Sequence, residues 1–212
     1  MTATRSILRA GETEPLVVTS AGAPVASVQW ASTDTSVVSI AASGLATAGR
    51  AGRVTITATS GSSSGTLTLR VVPDYQGTWT GGIGRVQLTC SAGSSAALCV
   101  PGAPTSGSLT LRVTQAGDQV QGVLTDSAEP TAQVALTGQV QADDLLALSG
   151  RYESPVSAPT LRIDVGTLRG SIDPAIGSMS GNYQWNVDRA ATSGGTLQFD
   201  YRTQVQFRDL RR

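Results

Sequence analysis

The chain has 212 residues, 15 basic and 15 acidic side chains, no histidine, 40% apolar residues and only 4% aromatic ones. A formal net charge of zero sets up no long-range field for nucleic acid or an anionic membrane, and no run of 18 apolar residues encodes a helical membrane span. Every basic residue is arginine, so Ser–His triads, histidine metal sites and Schiff-base lysines are excluded. Arginine without lysine reflects either a GC-rich genome or a preference for planar, bidentate interface contacts.

Glycine, serine and threonine are abundant, and no window of ten residues keeps a helical period without a Gly or Pro interruption. An all-β fold of short strands and many turns is expected. In chain order, Met1 to Ala10 lacks an apolar signal core; export then follows removal of a leader or another route. Short apolar runs follow at Ser6-Ile7-Leu8, Leu16-Val17-Val18, Val28-Gln29-Trp30, Val37-Val38-Ser39-Ile40, Gly44-Leu45-Ala46-Thr47-Ala48, Val54-Thr55-Ile56-Thr57-Ala58 and Leu67-Thr68-Leu69-Arg70-Val71. Turns such as Ser32 to Ser36, Ala51-Gly52 and Gly61 to Gly65 separate them. That spacing predicts a β-sandwich, with Trp30 plugging its core.

The ordered set Ala10-Gly11-Glu12, Val28-Gln29-Trp30-Ala31-Ser32, Ser36-Val37-Val38, Gly44-Leu45-Ala46-Thr47-Ala48, Ala51-Gly52 and Val54-Thr55-Ile56-Thr57-Ala58 resembles the bacterial immunoglobulin-like domain, group 2, over about residues 3–72. The resemblance implies an immunoglobulin-type sandwich in an exported or surface protein, used as a spacer or adhesion module without catalysis. It brings no fixed functional site.

Val72-Pro73-Asp74-Tyr75 is a joint too short for a flexible tether, and two domains, 1–72 and 73–212, are expected. In the second, an apolar–x–Gly–x–apolar pattern recurs five times, at Val120–Leu124, Leu136–Val140, Leu148–Tyr152, Leu168–Ile172 and Met179–Tyr183. Its three marked residues share one strand face, so the glycines point inward, as at barrel corners. Further strands are expected at Arg85–Ser91, Ser108–Gln115, Leu161–Ile172 and Thr196–Arg208, with hairpin turns at Ala116-Gly117-Asp118 and Ala142-Asp143-Asp144. Eight or nine such strands form an antiparallel meander that closes most easily as an up-and-down β-barrel. Inward glycines imply a narrow, filled interior.

Gly77-Thr78-Trp79 is similar to the Gly-x-Trp of lipocalin-like barrels. There the tryptophan packs against an arginine from the end of the barrel; the resemblance implies Trp79 in the core, with Arg208 stacked on it as a cation–π partner.

Cys90 and Cys99 flank a Ser/Gly/Ala loop. A disulfide closing it implies an oxidising compartment, periplasm or cell surface; the alternative is a pair of buried thiols. No metal site and no cofactor are expected. Asp143-Asp144, and Asp126 with Glu129, read as solvated loop acids rather than calcium ligands. Gly81-Gly82-Ile83-Gly84 precedes no helix and is no phosphate cradle. From Leu197 to Phe207 odd positions are apolar, as in a half-buried closing strand; alternatively Arg208, Arg211 and Arg212, with Tyr201 or Trp185, make a contact patch for a partner.

These residues point to a non-catalytic exported structural or binding protein. The first expectation is an extrinsic accessory subunit that docks onto other protein subunits of a membrane-associated complex, such as a photosynthetic or secretion assembly. The alternatives are a surface adhesin or carbohydrate-binding module, with Tyr152, Tyr183 and Trp185 as an exposed platform, and a small-ligand barrel with a cavity above about 300 Å3.

Overall fold

The computed structural model describes residues 1–25, 27–91, 101–102, 104–154, 161–190 and 196–212, and every regular element among them is a β-strand. Two compact units divide the chain: Met1–Asp74 with the turn Gln115–Gln119, and Tyr75–Thr114 with Val120–Arg212.

The first unit contains β1 (Thr2–Ala3), β2 (Ile7–Arg9), β3 (Thr13–Val17), β4 (Thr19–Ser20), β5 (Ala23–Pro24), β6 (Gln29–Ser32), β7 (Val38–Ile40), β8 (Leu45–Ala48), β9 (Gly52–Ser60) and β10 (Ser63–Val72). One sheet runs β1-β3-β8-β7 and a second β2-β10-β9-β6, while β4 and β5 form a small hairpin. Strict alternation on β9 turns Val54, Ile56 and Ala58 inward. With Leu8, Leu16, Val37, Val38, Ala46, Leu69 and Val71 these side chains fill a sandwich core. Trp30 is not the central plug expected of it. It sits on β6, the edge of its sheet, is only half-buried, and packs against the core from the flank. Gly44 makes room for its ring: a Cβ there would lie 3.0 Å from Cζ2.

Glu14 is an acid inside this unit, 2% exposed. Its Oε1 accepts the Thr4 and Arg5 amides at 2.7 and 3.0 Å, and Oε2 accepts Arg5 Nε at 3.0 Å. Burial pushes its carboxyl up, but hydrogen bonds from the Arg5 backbone and side chain and from Thr4 outweigh it and hold the pKa below the ordinary 4.5. This stabilisation is present above the ordinary value and lost as pH falls through the lower folded one. Glu14→Gln, which turns a donor toward these donors, is expected to cost about 1–3 kcal/mol and to flatten the acid limb of a denaturation-versus-pH curve.

The second unit is a closed eight-stranded barrel in chain order: β11 (Gly77–Cys90), β12 (Pro104–Ala116), β13 (Gln119–Asp126), β14 (Val134–Val140), β15 (Leu146–Glu153), β16 (Leu161–Asp173), β17 (Ser178–Arg189) and β18 (Gln198–Leu210). The last strand returns antiparallel to the first, with Ile83 opposite Phe207 and Arg85 opposite Val205. Closure leaves no open edge in the barrel. Gly81-Gly82-Ile83-Gly84 lies within β11.

Three of the five repeated glycines mark close approach of neighbouring backbones, whereas a Cβ on Gly170 would meet only the Met179 and Phe207 side chains. A Cβ on Gly138, Gly150 or Gly181 would overlap the carbonyl oxygen of Ala147, Ala135 or Arg169, respectively, on a neighbouring strand. Between these bends the interior is filled by Leu111, Leu124, Leu136, Leu148, Val165, Tyr183 and Phe207, all at most 3% exposed. At one end, Tyr75 OH lies 2.8 Å from Asp144 O and 3.1 Å from Gly170 O, and Trp79 Nε1 donates to Tyr75 O at 2.7 Å. Trp79 is fully buried, and the cation over its ring, 4.6 Å from the centroid, is Arg212 rather than Arg208. The physical reason is β18's path: Asp209 has a φ of 53°, which ends the regular alternation and brings Leu210 inward, while Arg211 pairs with Thr80 and carries Arg212 to Trp79.

Candidate functional site: a polar layer at one barrel end

The inward face of β11 runs Trp79, Ile83, Arg85, and that of β13 runs Val120, Leu124, Asp126. Each strand therefore carries an apolar series that ends in a charge. Arg85 and Trp79 are about 20 Å apart along β11, at roughly 3.3 Å per residue, so the charged layer and the Tyr75–Trp79 cluster occupy different ends of the barrel.

Arg85 Nη2 donates to the Asp126 carboxylate and, at 3.0 Å, to Ser127 Oγ, while Nη1 donates to Ser106 O at 3.0 Å. Asp126, with no exposed surface, also accepts Tyr183 OH at 2.7 Å and the Ala128 amide at 2.9 Å. Gly107 admits the arginine, since a Cβ there would overlap the guanidinium. A second group lies across the layer. Arg189 donates through Nε to Asp200 at 2.8 Å and through Nη2 to Glu129, and Tyr201 OH is 3.4 Å from Glu129. Trp185 stands edge-on to Tyr183, centroids 6.1 Å apart. Arg85, Gln87, Trp185, Tyr201 and Thr203 line a recess of about 210 Å3.

Burial raises the Tyr183 hydroxyl well above its ordinary range, and the charge of the Asp126 carboxylate that accepts its hydrogen bond raises it further. Burial, then the Glu129 charge, pushes Tyr201 up to about 12. Burial works against the charge of Arg189, but Glu129 and Asp200 prevail and its pKa is raised. The layer holds its charges in fixed pairs and its phenols protonated. Burial also takes Tyr75 to about 12. A group whose folded pKa lies above its unfolded value stabilises the fold fully below the unfolded value and loses that contribution as pH rises through the folded one. Barrel stability is therefore expected to fall between about pH 10 and 12. A spectrophotometric tyrosine titration should show these three phenols ionising only as the barrel unfolds.

Several expected placements change. Asp126 and Glu129 are partners of buried Arg85 and half-buried Arg189, not solvated loop acids. Trp185 is 1% and Tyr201 7% exposed, so neither ring is available to a partner. Tyr183 is fully buried as well, which removes the aromatic platform that a carbohydrate-binding module needs; Tyr152 is half-buried on β15. The interior recess is smaller than the volume set for a small-ligand barrel, and a wider groove of about 680 Å3 runs outside, along outward residues such as Thr78, Arg112, Gln121 and Thr137. Arg208 and Arg211 are exposed, with Arg211 Nη1 donating to Ile176 O at 2.8 Å. Asp143 and Asp144 form the β14–β15 turn, where Asp144 has a φ of 64°. Among the described residues no three acidic or cysteine side chains gather as a metal site. Cys90 ends β11, and Cys99 lies outside the described residues.

Sequence reasoning missed Arg85, Arg189 and Asp200. Strand parity could have found Arg85, which shares the face of Trp79 and Ile83. It would have failed for Asp200, which a β-bulge opposite Val187/Asp188 turns inward.

No curated protein and no solved structure matches the chain. What residues 1–71 match is a family model, that of the bacterial Ig-like domain (group 2).

Proposed function

We propose that this chain is a non-catalytic exported protein of two domains, 1–72 and 73–212, that docks as an extrinsic accessory subunit onto a membrane-associated protein assembly. Ig-like domains of the matched family are typically exported, surface or adhesion-type structural domains and often mediate protein interactions. In this reading the sandwich is the spacer, the barrel's outer wall carries the contact, and a Cys90–Cys99 disulfide secures the loop after β11.

The observation behind the docking surface is a set of exposed apolar side chains. Val86 and Leu88 on β11 are 43% and 42% exposed, and Phe199 on the adjacent β18 is 39% exposed. Exposed Arg202 on the same seam adds a residue type favoured at interfaces. A barrel that fills its own interior has no need to present such side chains to water, whereas a partner would cover them.

The test is capture from native membranes, read by mass spectrometry, with the wild type and a Leu88→Glu/Phe199→Glu variant. The reading expects the wild type to bring down a defined set of subunits and the variant to lose them. Recovery of the wild type alone and monomeric contradicts it. A gain in mass on reduction reports the disulfide.

A further inference from the structure

Among the described residues, two N–H donors in the polar layer make no well-formed hydrogen bond. Arg85 Nε is buried without a hydrogen-bond partner among the described residues, and Trp185 Nε1 is buried with only the Tyr201 hydroxyl near it, short of a well-formed bond; the Arg85 side chain is 9% and Trp185 1% exposed. Both residues line the same recess of about 210 Å3. Buried donors left unpaired are costly and rare. Arg85's terminal nitrogens are engaged with Asp126, Ser127 and Ser106, and Thr203 Oγ1 with Gln87 at 2.6 Å. What remains open toward the recess includes these two donors, beside the hydroxyls of Thr105, Ser106 and Tyr201.

We propose that this recess binds a small uncharged molecule through a carbonyl or hydroxyl oxygen that accepts from Arg85 Nε–H and Trp185 Nε1–H, with the indole ring as an apolar wall. Charge decides against an anion. The layer carries Arg85 and Arg189 against Asp126, Glu129 and Asp200, one negative charge in excess, and Arg85 is already neutralised by Asp126. A cation would meet two N–H donors pointing the wrong way. At about 210 Å3 the recess falls short of a small-ligand barrel's cavity and admits nothing larger than a monosaccharide or a simple amide. This site is distinct from the outer-wall contact, and loss of one leaves the other intact.

The three tryptophans make the test selective, because Trp79 Nε1 is engaged by Tyr75 O and Trp30 lies in the other unit. Indole N–H resonances of the full chain are followed by 1H–15N spectroscopy during titration with N-methylacetamide, glucose and glycerol, with acetate and inorganic phosphate as charged probes. The expected result is a saturable shift of the Trp185 indole signal with at least one uncharged probe, slower solvent exchange of that proton, and still signals from Trp30 and Trp79. Arg85→Lys keeps a charge for Asp126 but removes the Nε–H, and is expected to weaken binding about tenfold. The slowed exchange in wild type stands as evidence even if that variant does not fold. Absence of any saturable Trp185 shift, meaning that ordered water alone fills the recess, overturns the proposal. So does a larger shift with acetate or phosphate, or equal shifts at all three indoles.

Discussion

Replacing Gly181 by alanine is expected to destabilise the barrel by about 3 kcal/mol or more, at the upper end of what overpacking costs. An added methyl group would overlap Arg169 O on β16 and come within 2.6 Å of Phe207 Cζ on β18. The phenylalanine ring can turn aside, but the carbonyl cannot move without loosening the β16–β17 ladder, where Gly170 stands opposite Gly181. Gly138→Ala and Gly150→Ala meet the same obstacle at Ala147 O and Ala135 O. Gly84 on β11 is the control. Nothing lies within 4 Å of its would-be Cβ, so Gly84→Ala should stay within about 0.5 kcal/mol of wild type. Denaturant titration followed by the fluorescence of the buried barrel tryptophans reads the difference. Similar losses at Gly84 and Gly181 would mean that the glycines serve only backbone freedom, not close strand approach.

Asp126→Asn is expected to cost about 3–5 kcal/mol, because it leaves the Arg85 guanidinium buried without a counter-charge. The change preserves shape, so the loss reports charge and hydrogen bonding rather than a cavity. Arg85 has 9% and Asp126 no side-chain exposure, so solvent screens the pair little. Asparagine keeps one oxygen, so either Tyr183 OH, which donates to Oδ2, or the Ala128 amide and Arg85, which both donate to Oδ1, loses its acceptor at the same time. The double replacement Arg85→Met/Asp126→Leu removes both charges and should recover most of the stability. A double-mutant cycle therefore separates a buried ion pair from two independent core positions. Additive losses would show that the two side chains do not act on one another.

The architecture was largely legible in the chain, and the polar layer was not. Absence of a helical period and the spacing of turns gave the all-β class, and the ordered motifs from Ala10 to Ala58 gave the sandwich. The five apolar–x–Gly–x–apolar segments described the inner face of the barrel, because parity alone decides which way a strand residue points. The same parity holds for the charges beside those apolar residues. Asp126 sits two places after Leu124 and so shares its face, yet its place at a strand end made it look like a turn residue. At the chain's last strand, parity itself fails. One bulge at Asp200 turns that acid in and leaves Phe199 out, and the positive φ of Asp209 sends Arg212, not Arg208, to Trp79. Bulges depend on how neighbouring strands pair, which no single strand's pattern records. The partner of Arg189 is equally hidden, since Glu129 reaches it from a loop 60 positions away.

Whether the second unit is a closed barrel, from which the filled interior, the polar layer and the outer contact all follow, rests on the pairing of its first and last strands. Cross-strand NMR contacts between β11 and β18 test that pairing directly. Backbone NOEs linking Gly84 with Gln206, Arg85 with Val205 and Val86 with Gln204, together with slowly exchanging amides along both strands, are the expected result. Their absence, with the β11 and β18 amides exchanging as freely as those of an exposed edge, would show an open meander and contradict the account.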